Sequence, residues 1–439
     1  MDNLKNVNLY IKLLLCSFLS ALVFFSFRID LIYNSSLNTF LIFLSILFIV
    51  WSIFIFSKKS LTRVIFYNLL TIIILNLILT PLFYRITFDI PSRQANYKIV
   101  KEYKSKFFEG IFSGKHIISS DKKGYRVSSY LDNNIINEKT NYELKDNNTL
   151  RIFTIGASTT EGGSIDDRKT WSSLMGARLS KITNKKVEVI NAGMAGLRSK
   201  HHYFTFQRIK KYKPDLVIFL TGINDWNHHV VNSDKRYLIP WFEIRYSFNK
   251  SIIYKTFNNI NKQIRKKLFS KKNLESENAT YVSAELDTEA YLAPQINSLN
   301  IRKISKKFYK KTVSEDYSYW MNSIFQDCES RDPICVFMDQ PTAYQKEITN
   351  DLKKRLWMTP PNQEYTLSFK NLIYLSSMYN NWLRNEVKDR KLNFCLLSDK
   401  IEANTSNFTD DCHFSEKGSI KVSEILANYI NLSLNLILK

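Results

Sequence analysis

Several residue types that together can carry out acyl transfer occur in this chain, and the first is a serine. Ser158 follows an apolar run at residues 151–155 and lies in a small-residue turn that reads Gly-Ala-Ser-Thr-Thr. Apolar, β-branched runs of this length are typical of buried strands. A serine at the end of a parallel strand can present its hydroxyl at the open edge of the sheet. Taken alone, Ser158 is equally explained as the N-cap of a helix.

Two further residues could stabilise a developing negative charge. Gly193 lies in Asn-Ala-Gly-Met-Ala-Gly, directly after a second strand-like run at 187–190. Glycine leaves its backbone N–H unobstructed, although a plain turn would also explain it. Asn224 follows a third run at 215–220, and its uncharged amide is a hydrogen-bond donor. We predict that both residues donate to an oxyanion.

A histidine that could act as the base follows the last strand-like run, at 393–396. His413 can accept the proton of a serine, and a nearby carboxylate can hold its ring. Asp410 and Asp411 are both candidates by charge. Residues three apart on a turn return to the same side, so the spacing predicts Asp410 as the partner. Asp411 is then expected to point to solvent or to cap the helix that begins near Ser415.

The blocks are separated by alternating strand-like and helix-like runs. The strand-like runs are residues 151–155, 187–190, 215–220, 334–338 and 393–396, and the helix-like runs include 171–180, 200–211 and 368–390. This alternation predicts an α/β fold with a parallel sheet covered by helices on both faces. The site would then lie beyond the carboxyl ends of the strands, where all four blocks fall.

These residues resemble the SGNH/GDSL hydrolase family over residues 151–226 and 334–426. The resemblance implies a flavodoxin-like, three-layer α/β/α fold and an ester hydrolase that needs no cofactor. It also implies roles for the residues above: Ser158 as nucleophile, His413 as base, Asp410 as its partner, and an oxyanion hole of the Ser158 N–H, Gly193 and Asn224. One departure is Gly-Ala-Ser-Thr-Thr where the family has Gly-Asp-Ser-Leu, which leaves the substrate class open.

The first 84 residues are expected to form a membrane anchor. Residues 9–27, 37–56 and 64–83 are apolar stretches, each close to the ~20 residues that a transmembrane helix needs. Lys58, Lys59 and Arg63 crowd the link between the second and third stretches. The positive-inside rule therefore places this link and the N-terminus in the cytoplasm, and everything after Tyr84 on the periplasmic side of a bacterial inner membrane.

The remainder of the chain divides into a linker or edge segment at 85–150 and the hydrolase domain at 151–439. A basic insertion at about 233–327 interrupts the domain, and it could be a solvated loop or a lid that faces substrate or membrane. The net charge of +22 favours acidic partners such as anionic lipid or envelope polymer. No nucleic-acid-binding motif accompanies that charge, so nucleic acid is not an expected partner.

The five cysteines include one pair with the spacing of a local bridge. Cys328 and Cys335 flank a short polar turn and are the preferred disulfide, although buried free thiols would be almost equally consistent. No run of His and Cys residues has metal-ligand spacing, so a metal site is not expected.

The sequence thus predicts a membrane-anchored serine esterase. It would act through an acyl-enzyme on O-acyl esters, O-acetyl in particular, of an envelope glycan or lipid. An O-acyltransferase supplied with acyl groups by a membrane partner protein is the first alternative. A non-catalytic envelope assembly or binding module is the second, and the intact Ser158, Asn224 and His413 disfavour it.

Overall fold

A computed structural model of the chain describes most of the region that follows the apolar N-terminal stretches. The described residues are 95–103, 111–112, 114–128, 142, 144–183, 185–235, 280–283, 300–302, 313–357 and 365–433. The three predicted membrane spans and most of the predicted basic insertion lie outside these residues. Within the described ranges, no helix combines the length and the apolar character that crossing a bilayer requires.

Ten strands and eight helices are present in the described residues, numbered in chain order. The strands are β1 (Lys98–Tyr103), β2 (Gly114–Ser119), β3 (Thr149–Gly156), β4 (Lys186–Asn191), β5 (Leu216–Leu220), β6 (Thr280–Ser283), β7 (Asn300–Arg302), β8 (Ile334–Met338), β9 (Tyr365–Leu367) and β10 (Asn393–Cys395). The helices are α1 (Ser158–Glu161), α2 (Trp171–Ile182), α3 (Ser199–Lys210), α4 (Ile223–Lys235), α5 (Glu315–Cys328), α6 (Asn350–Lys353), α7 (Phe369–Asp389) and α8 (Glu416–Ser433).

The main sheet has five parallel strands in the order β10-β8-β5-β3-β4. Each of the five strand-like runs in the sequence overlaps one of these strands, so the predicted parallel α/β sheet is confirmed. Every residue of β3 and β5 is buried. Strands buried on both faces read as continuous apolar runs, which explains why the sequence revealed them.

The two faces of this sheet have separate hydrophobic cores. Phe153, Phe219 and Phe337 belong to one core, which α3, α5 and α7 cover with residues such as Phe206, Met321 and Leu375. Ile152, Ile218 and Val336 belong to the other, which α2 and α8 cover with residues such as Met175 and Leu426. Successive side chains of a strand point to opposite faces, so neighbouring residues supply the two cores. A disulfide joins Cys328 at the end of α5 to Cys335 in β8, as the sequence analysis preferred.

A second sheet has three strands, two from before the main sheet in the chain and one, β6, from between β5 and β8. β1 pairs with β2 in antiparallel fashion and with β6 in parallel. The segment at 85–150, for which the sequence indicated a linker or edge segment, therefore contains two regular strands. Just beyond β2, the backbone N–H of Arg126 donates to the carbonyl of Asn191 at 2.9 Å. This hydrogen bond ties the segment to β4, the edge strand of the main sheet.

Candidate active site

Ser158, His413 and Asp410 form one continuous line of hydrogen bonds. The Oγ of Ser158 lies 2.7 Å from Nε2 of His413, although the two residues are 255 positions apart. The other ring nitrogen, Nδ1, lies 2.7 Å from Oδ2 and 2.9 Å from Oδ1 of Asp410. The arrangement joins a hydroxyl to a base and the base to a carboxylate, as an activated serine requires.

The end of strand β3 positions the serine. Ser158 begins α1 two residues after Gly156, the last residue of the strand. A Cβ at Gly156 would lie 2.6 Å from the backbone oxygen of Leu220 in β5 and 2.0 Å from Oγ1 of Thr160. Only glycine fits between the adjacent strand and the returning helix. The chain can therefore turn sharply and hold the hydroxyl at the carboxyl end of the sheet.

The loop before α8 positions the histidine and its carboxylate together. Oδ1 of Asp410 accepts the backbone N–H groups of Cys412 at 3.0 Å and of His413 at 2.9 Å. The backbone N–H of Thr409 also donates to the carbonyl of His413 at 2.9 Å. These bonds close a tight turn, which brings a carboxylate three residues before the histidine back to its ring. The Asp-x-x-His spacing thus has a local structural cause.

The electrostatics of this pair suit a base that becomes charged during the reaction. Burial acts to lower the pKa of His413, but the charge of Asp410, the neighbouring Cys412 and the hydrogen bonds outweigh it and raise this pKa well above its usual value. Burial acts to raise the pKa of Asp410, but the charge of His413 and the hydrogen bonds to the carboxylate hold it below its usual value. The carboxylate is thus ionised and the imidazolium is stabilised.

We expect the activity to decrease as the pH falls through the pKa of His413, because only the neutral imidazole can accept the serine proton. Since Asp410 raises that pKa, the midpoint of the kcat/KM profile should lie above about 6.5, the ordinary value for histidine. In Asp410→Ala the midpoint should move to lower pH, along with a lower rate. The test is kcat/KM for an ester between about pH 5 and pH 9. An unchanged midpoint in the variant would contradict the assignment of the pair.

The position of Asp411 differs from the one predicted from the sequence. It was expected to face solvent or to cap a helix, but its side chain is fully buried. Its carboxylate accepts the backbone N–H of Trp357 at 2.7 Å and the hydroxyl of Tyr344. The N–H of Gly418, in the first turn of α8, donates instead to Oγ of Ser415 at 3.0 Å. Burial, followed by the charge of Asp410, raises the pKa of Asp411 to about 7.

The N–H of Gly193, which the sequence predicted as an oxyanion donor, already has an acceptor within its own loop. This N–H donates to Oδ1 of Asn191 at 2.9 Å, and the residue is buried. A Cβ at this position would lie 2.6 Å from the backbone nitrogen of Glu161 and 2.8 Å from the carbonyl carbon of Thr160. The glycine is thus explained by the close packing of this loop on α1, and the role predicted for its N–H does not fit.

The second glycine of the same block fits better. Met194 to Leu197 form a turn in which Gly196 has φ of +77° and is exposed, and a Cβ there would meet nothing within 4 Å. The N–H of Met194 donates to the carbonyl of Gly156, and the N–H of Leu197 donates to the carbonyl of Met194. The N–H of Ala195 donates to Oε2 of Glu161. Among the described residues, the N–H of Gly196 has no acceptor. The sequence feature that could have indicated Gly196 as an oxyanion donor is the second glycine of the block, because a type II turn needs glycine at its third position.

Asn224, which the sequence predicted as an oxyanion donor, lies against this turn. Its Nδ2 donates to the carbonyl of Leu197 at 2.9 Å, which leaves the second amide hydrogen available. The N–H of Ser158 is the first of α1 and has no partner within that helix. Gly196, Asn224 and Ser158 thus offer three donors from the ends of three adjacent strands, β4, β5 and β3.

One group of side chains in the described residues could hold a metal ion. The ligand atoms of Asp410, Cys412 and His413 lie within 4.8 Å of one another. Two of the three belong to the carboxylate–imidazole pair, and Nδ1 of His413 already makes its hydrogen bond to Asp410. The thiol of Cys412 is buried, and burial, partly offset by the charge of His413, raises its pKa to about 11. A protonated thiol is a poor metal ligand, so this donor set fits the catalytic pair better.

A serine, a histidine and an aspartate joined by hydrogen bonds at the carboxyl edge of a parallel sheet form the arrangement of a serine hydrolase built on an α/β fold. Residues 154–286 match the GDSL-like lipase/acylhydrolase family. This match confirms the predicted resemblance to SGNH/GDSL hydrolases and the predicted enzyme class, an ester hydrolase. No curated protein matches the chain.

Solved structures with detectable similarity include an esterase and a lipolytic protein. An acetylxylan esterase from Geobacillus stearothermophilus is 12% identical, and the match covers 64% of this chain and 94% of the esterase with a TM-score of 0.34. A member of the lipolytic protein G-D-S-L family from Veillonella parvula DSM 2008 is 9% identical, with 64% and 98% covered and a TM-score of 0.33. Similarity at this level says nothing about the substrate of the present chain.

Proposed function

We propose that the protein hydrolyses O-acyl esters through a covalent acyl-enzyme on Ser158. The observation that carries this proposal is the line of hydrogen bonds from Asp410 through His413 to Oγ of Ser158. A serine hydroxyl is a weak nucleophile at neutral pH and needs an adjacent base. His413 lies within direct reach of that proton.

In the first half of the reaction, Oγ of Ser158 attacks the ester carbonyl while Nε2 of His413 takes its proton. Asp410 stabilises the imidazolium that forms. The carbonyl oxygen becomes an oxyanion, which the N–H groups of Ser158 and Gly196 and the amide of Asn224 stabilise. The tetrahedral intermediate then collapses, the bond to the alcohol oxygen breaks, and His413 donates its proton to that leaving oxygen. The acyl group remains on Ser158.

In the second half, water takes the place of the alcohol. His413 removes a proton from water as the water oxygen attacks the acyl carbonyl, and the same donors hold the second oxyanion. Collapse releases the carboxylic acid and returns the proton to Oγ of Ser158. Replacing water by a sugar hydroxyl in this half would give an O-acyltransferase with the same residues.

For the substrate we propose O-acyl, and in particular O-acetyl, esters of an envelope glycan or lipid. The apolar stretches at 9–27, 37–56 and 64–83 support a membrane anchor, since each has the length of a spanning helix. The net charge of +22 supports a location beside anionic lipid or polymer. An enzyme held at a membrane acts most readily on the polymers and lipids at that surface.

The full chain in detergent micelles, incubated with nitrophenyl acetate and with an acetylated glycan, tests this function. Hydrolysis predicts free acetate in both reactions, whether or not an unmodified glycan is added. Transfer of labelled acetyl to the added glycan would identify the transferase instead. An intact, folded protein that cleaves no ester and transfers no acyl group would refute both activities.

The topology has its own test. We expect residues from 84 onward to lie outside the cytoplasm, because the cationic link at Lys58, Lys59 and Arg63 favours the cytoplasmic side. Alkaline phosphatase, which becomes active only outside the cytoplasm, should therefore be active when fused after Lys439. A fusion to a reporter active only in the cytoplasm serves as the reciprocal control. If a well-expressed phosphatase fusion is silent and the reciprocal fusion is active, the proposed orientation is wrong.

A further inference from the structure

Glu161 links the turn that carries the nucleophile to the turn that carries Gly196. It is the last residue of α1, three positions after Ser158. Its Oε2 accepts the backbone N–H of Ala195 at 2.6 Å. Ala195 directly precedes Gly196, whose N–H has no acceptor among the described residues. The carboxylate is thus one residue away from a proposed oxyanion donor.

The far side of this loop is held from the next strand unit. Nδ2 of Asn224 donates to Leu197 O at 2.9 Å. The buried carboxylate of Asp225 accepts the N–H of Ser199 at 3.0 and 3.1 Å and its hydroxyl at 2.6 Å. These bonds tie the far end of the loop to α4.

On the near side, Asn191 Nδ2 donates to Thr160 O at 2.7 Å and Gly193 packs closely on α1, so the start of the loop is held against the helix of the nucleophile. Beyond Gly193, the contacts that reach the turn at Gly196 are weaker. The N–H of Met194 donates to Gly156 O at a longer 3.2 Å, and the turn closes with a bond of 3.4 Å from Leu197 N to Met194 O. The bond from Ala195 to Glu161 is shorter, at 2.6 Å, and its acceptor is a carboxylate oxygen. Hydrogen bonds to a charged acceptor are about twice as strong as neutral ones.

We infer that Glu161 is a positioning residue, which aligns the N–H of Gly196 with that of Ser158 so that both meet the same oxyanion. The inference rests on the proposed acyl-enzyme mechanism and assigns Glu161 no contact with the substrate. An oxyanion donor is effective only if it is already oriented when charge develops. A carboxylate that belongs to the helix of the nucleophile and binds the turn of the donor fixes these two groups relative to each other.

The neighbouring strand β1 supports the carboxylate. Nζ of Lys101 donates to Gly163 O at 2.9 Å, and its positive charge attracts Glu161. Burial, followed by the charge of Arg126, lowers the pKa of Lys101, while Glu161 acts to raise it. The charge of Lys101 thus acts on the same carboxylate that binds the Ala195 N–H.

The test compares Glu161→Ala and Glu161→Gln with the wild-type full chain in detergent. Glu424→Ala, which removes an exposed ion pair with Arg178, is the surface control. Losing one oxyanion donor typically lowers kcat by about 100- to 1,000-fold, so misaligning one should cost about 10- to 100-fold, with KM within about twofold. The amide oxygen of Gln can still accept the Ala195 N–H, so this variant should recover to within about threefold of wild type.

Binding of an alkyl boronic acid, which forms a tetrahedral adduct with an active serine, supplies a second measurement. Its Kd should weaken in Glu161→Ala by the same factor as kcat falls, because the adduct resembles the transition state. Ala195→Pro removes the same bond from its other end, at a turn position that accepts proline. In that background Glu161→Ala should change kcat by less than about twofold, since the bond is already absent.

A wild-type kcat in folded Glu161→Ala would overturn the inference. So would losses of kcat from Glu161→Ala and Ala195→Pro that multiply in the double variant. Neither result would contradict the proposed esterase activity. A Gln variant as impaired as the Ala variant would also overturn it, because charge and not the bond would then matter. Absence of ester cleavage by the wild-type protein would instead overturn the proposed function. A role in stability alone would lower Tm in Glu161→Ala and leave kcat and the boronate Kd unchanged.

Discussion

Replacing Ser158 by alanine is expected to abolish ester hydrolysis, with a loss of at least about 10⁴-fold in kcat. The acyl-enzyme cannot form without Oγ, and His413 then has no proton to accept from this side chain. A fluorophosphonate probe, which reacts covalently with activated serines, should label the wild-type protein and fail to label Ser158→Ala. Labelling is measured on the full chain beside hydrolysis of a nitrophenyl ester.

Ser318→Ala provides the matched control for that experiment. Its hydroxyl donates to the carbonyl of Glu315 on the exposed surface of α5, away from any base. Both labelling and hydrolysis should be unchanged in this variant. Labelling that persists in Ser158→Ala would show that a different serine is activated and would refute the assignment of the nucleophile.

Asp410→Asn is expected to lower kcat by about 10³- to 10⁴-fold with little change in KM. In the wild-type protein the carboxylate accepts from Nδ1 of His413 at 2.7 and 2.9 Å, so Nε2 is left without a proton and faces Ser158. An asparagine amide can turn its donor toward Nδ1 and favour the opposite tautomer. It also removes the charge that stabilises the imidazolium, an interaction that matters most in the transition state.

Asp411→Asn is the control for that prediction, because the same change is made one residue away. Asp411 contacts Tyr344 and Trp357 and makes no bond to His413, so kcat should be nearly unchanged. The pKa of the Asp411 carboxyl is raised to about 7 in the folded state. The protonated carboxyl therefore stabilises the folded protein below about pH 4, and this stabilisation is lost as the pH rises through 7.

The asparagine variant should therefore lose less stability than the wild-type protein between about pH 5 and pH 8. Chemical denaturation at the two pH values measures this difference. If Asp411→Asn lowers kcat more than Asp410→Asn, the assignment of the carboxylate that orients the histidine is wrong.

Much of the main sheet and of the candidate site could be predicted from the sequence because their signals are local. Strands buried on two faces give unbroken apolar runs, as in β3 and β5. Asp410 and His413 lie within one tight turn, so their spacing alone indicated their contact. Ser158 lies directly after a strand, and the position of a strand end could be read from the point where the apolar run stops.

The features that were missed depend on contacts that are distant in sequence. Asp411 is buried because Trp357 and Tyr344 reach it from another part of the chain. Gly193 and Gly196 are the same residue type in one sequence block. The folded structure distinguishes them, because the N–H of Gly193 has an acceptor and that of Gly196 has none among the described residues. The strands β1 and β2 mix lysines and other polar residues with short apolar pairs and are partly exposed, so their apolar pattern was too weak to identify.

The sheet formed by β1 and β2 contacts both halves of the candidate site. The hydroxyl of Tyr103 and Nδ1 of His116 each lie 2.9 Å from the carbonyl of Ser164, in the loop that follows the nucleophile. Nε2 of His116 lies 3.1 Å from Oε1 of Glu416, at the start of the helix that follows His413. The smallest fragment to express, crystallise or graft onto another anchor therefore starts before residue 95 and not at residue 151.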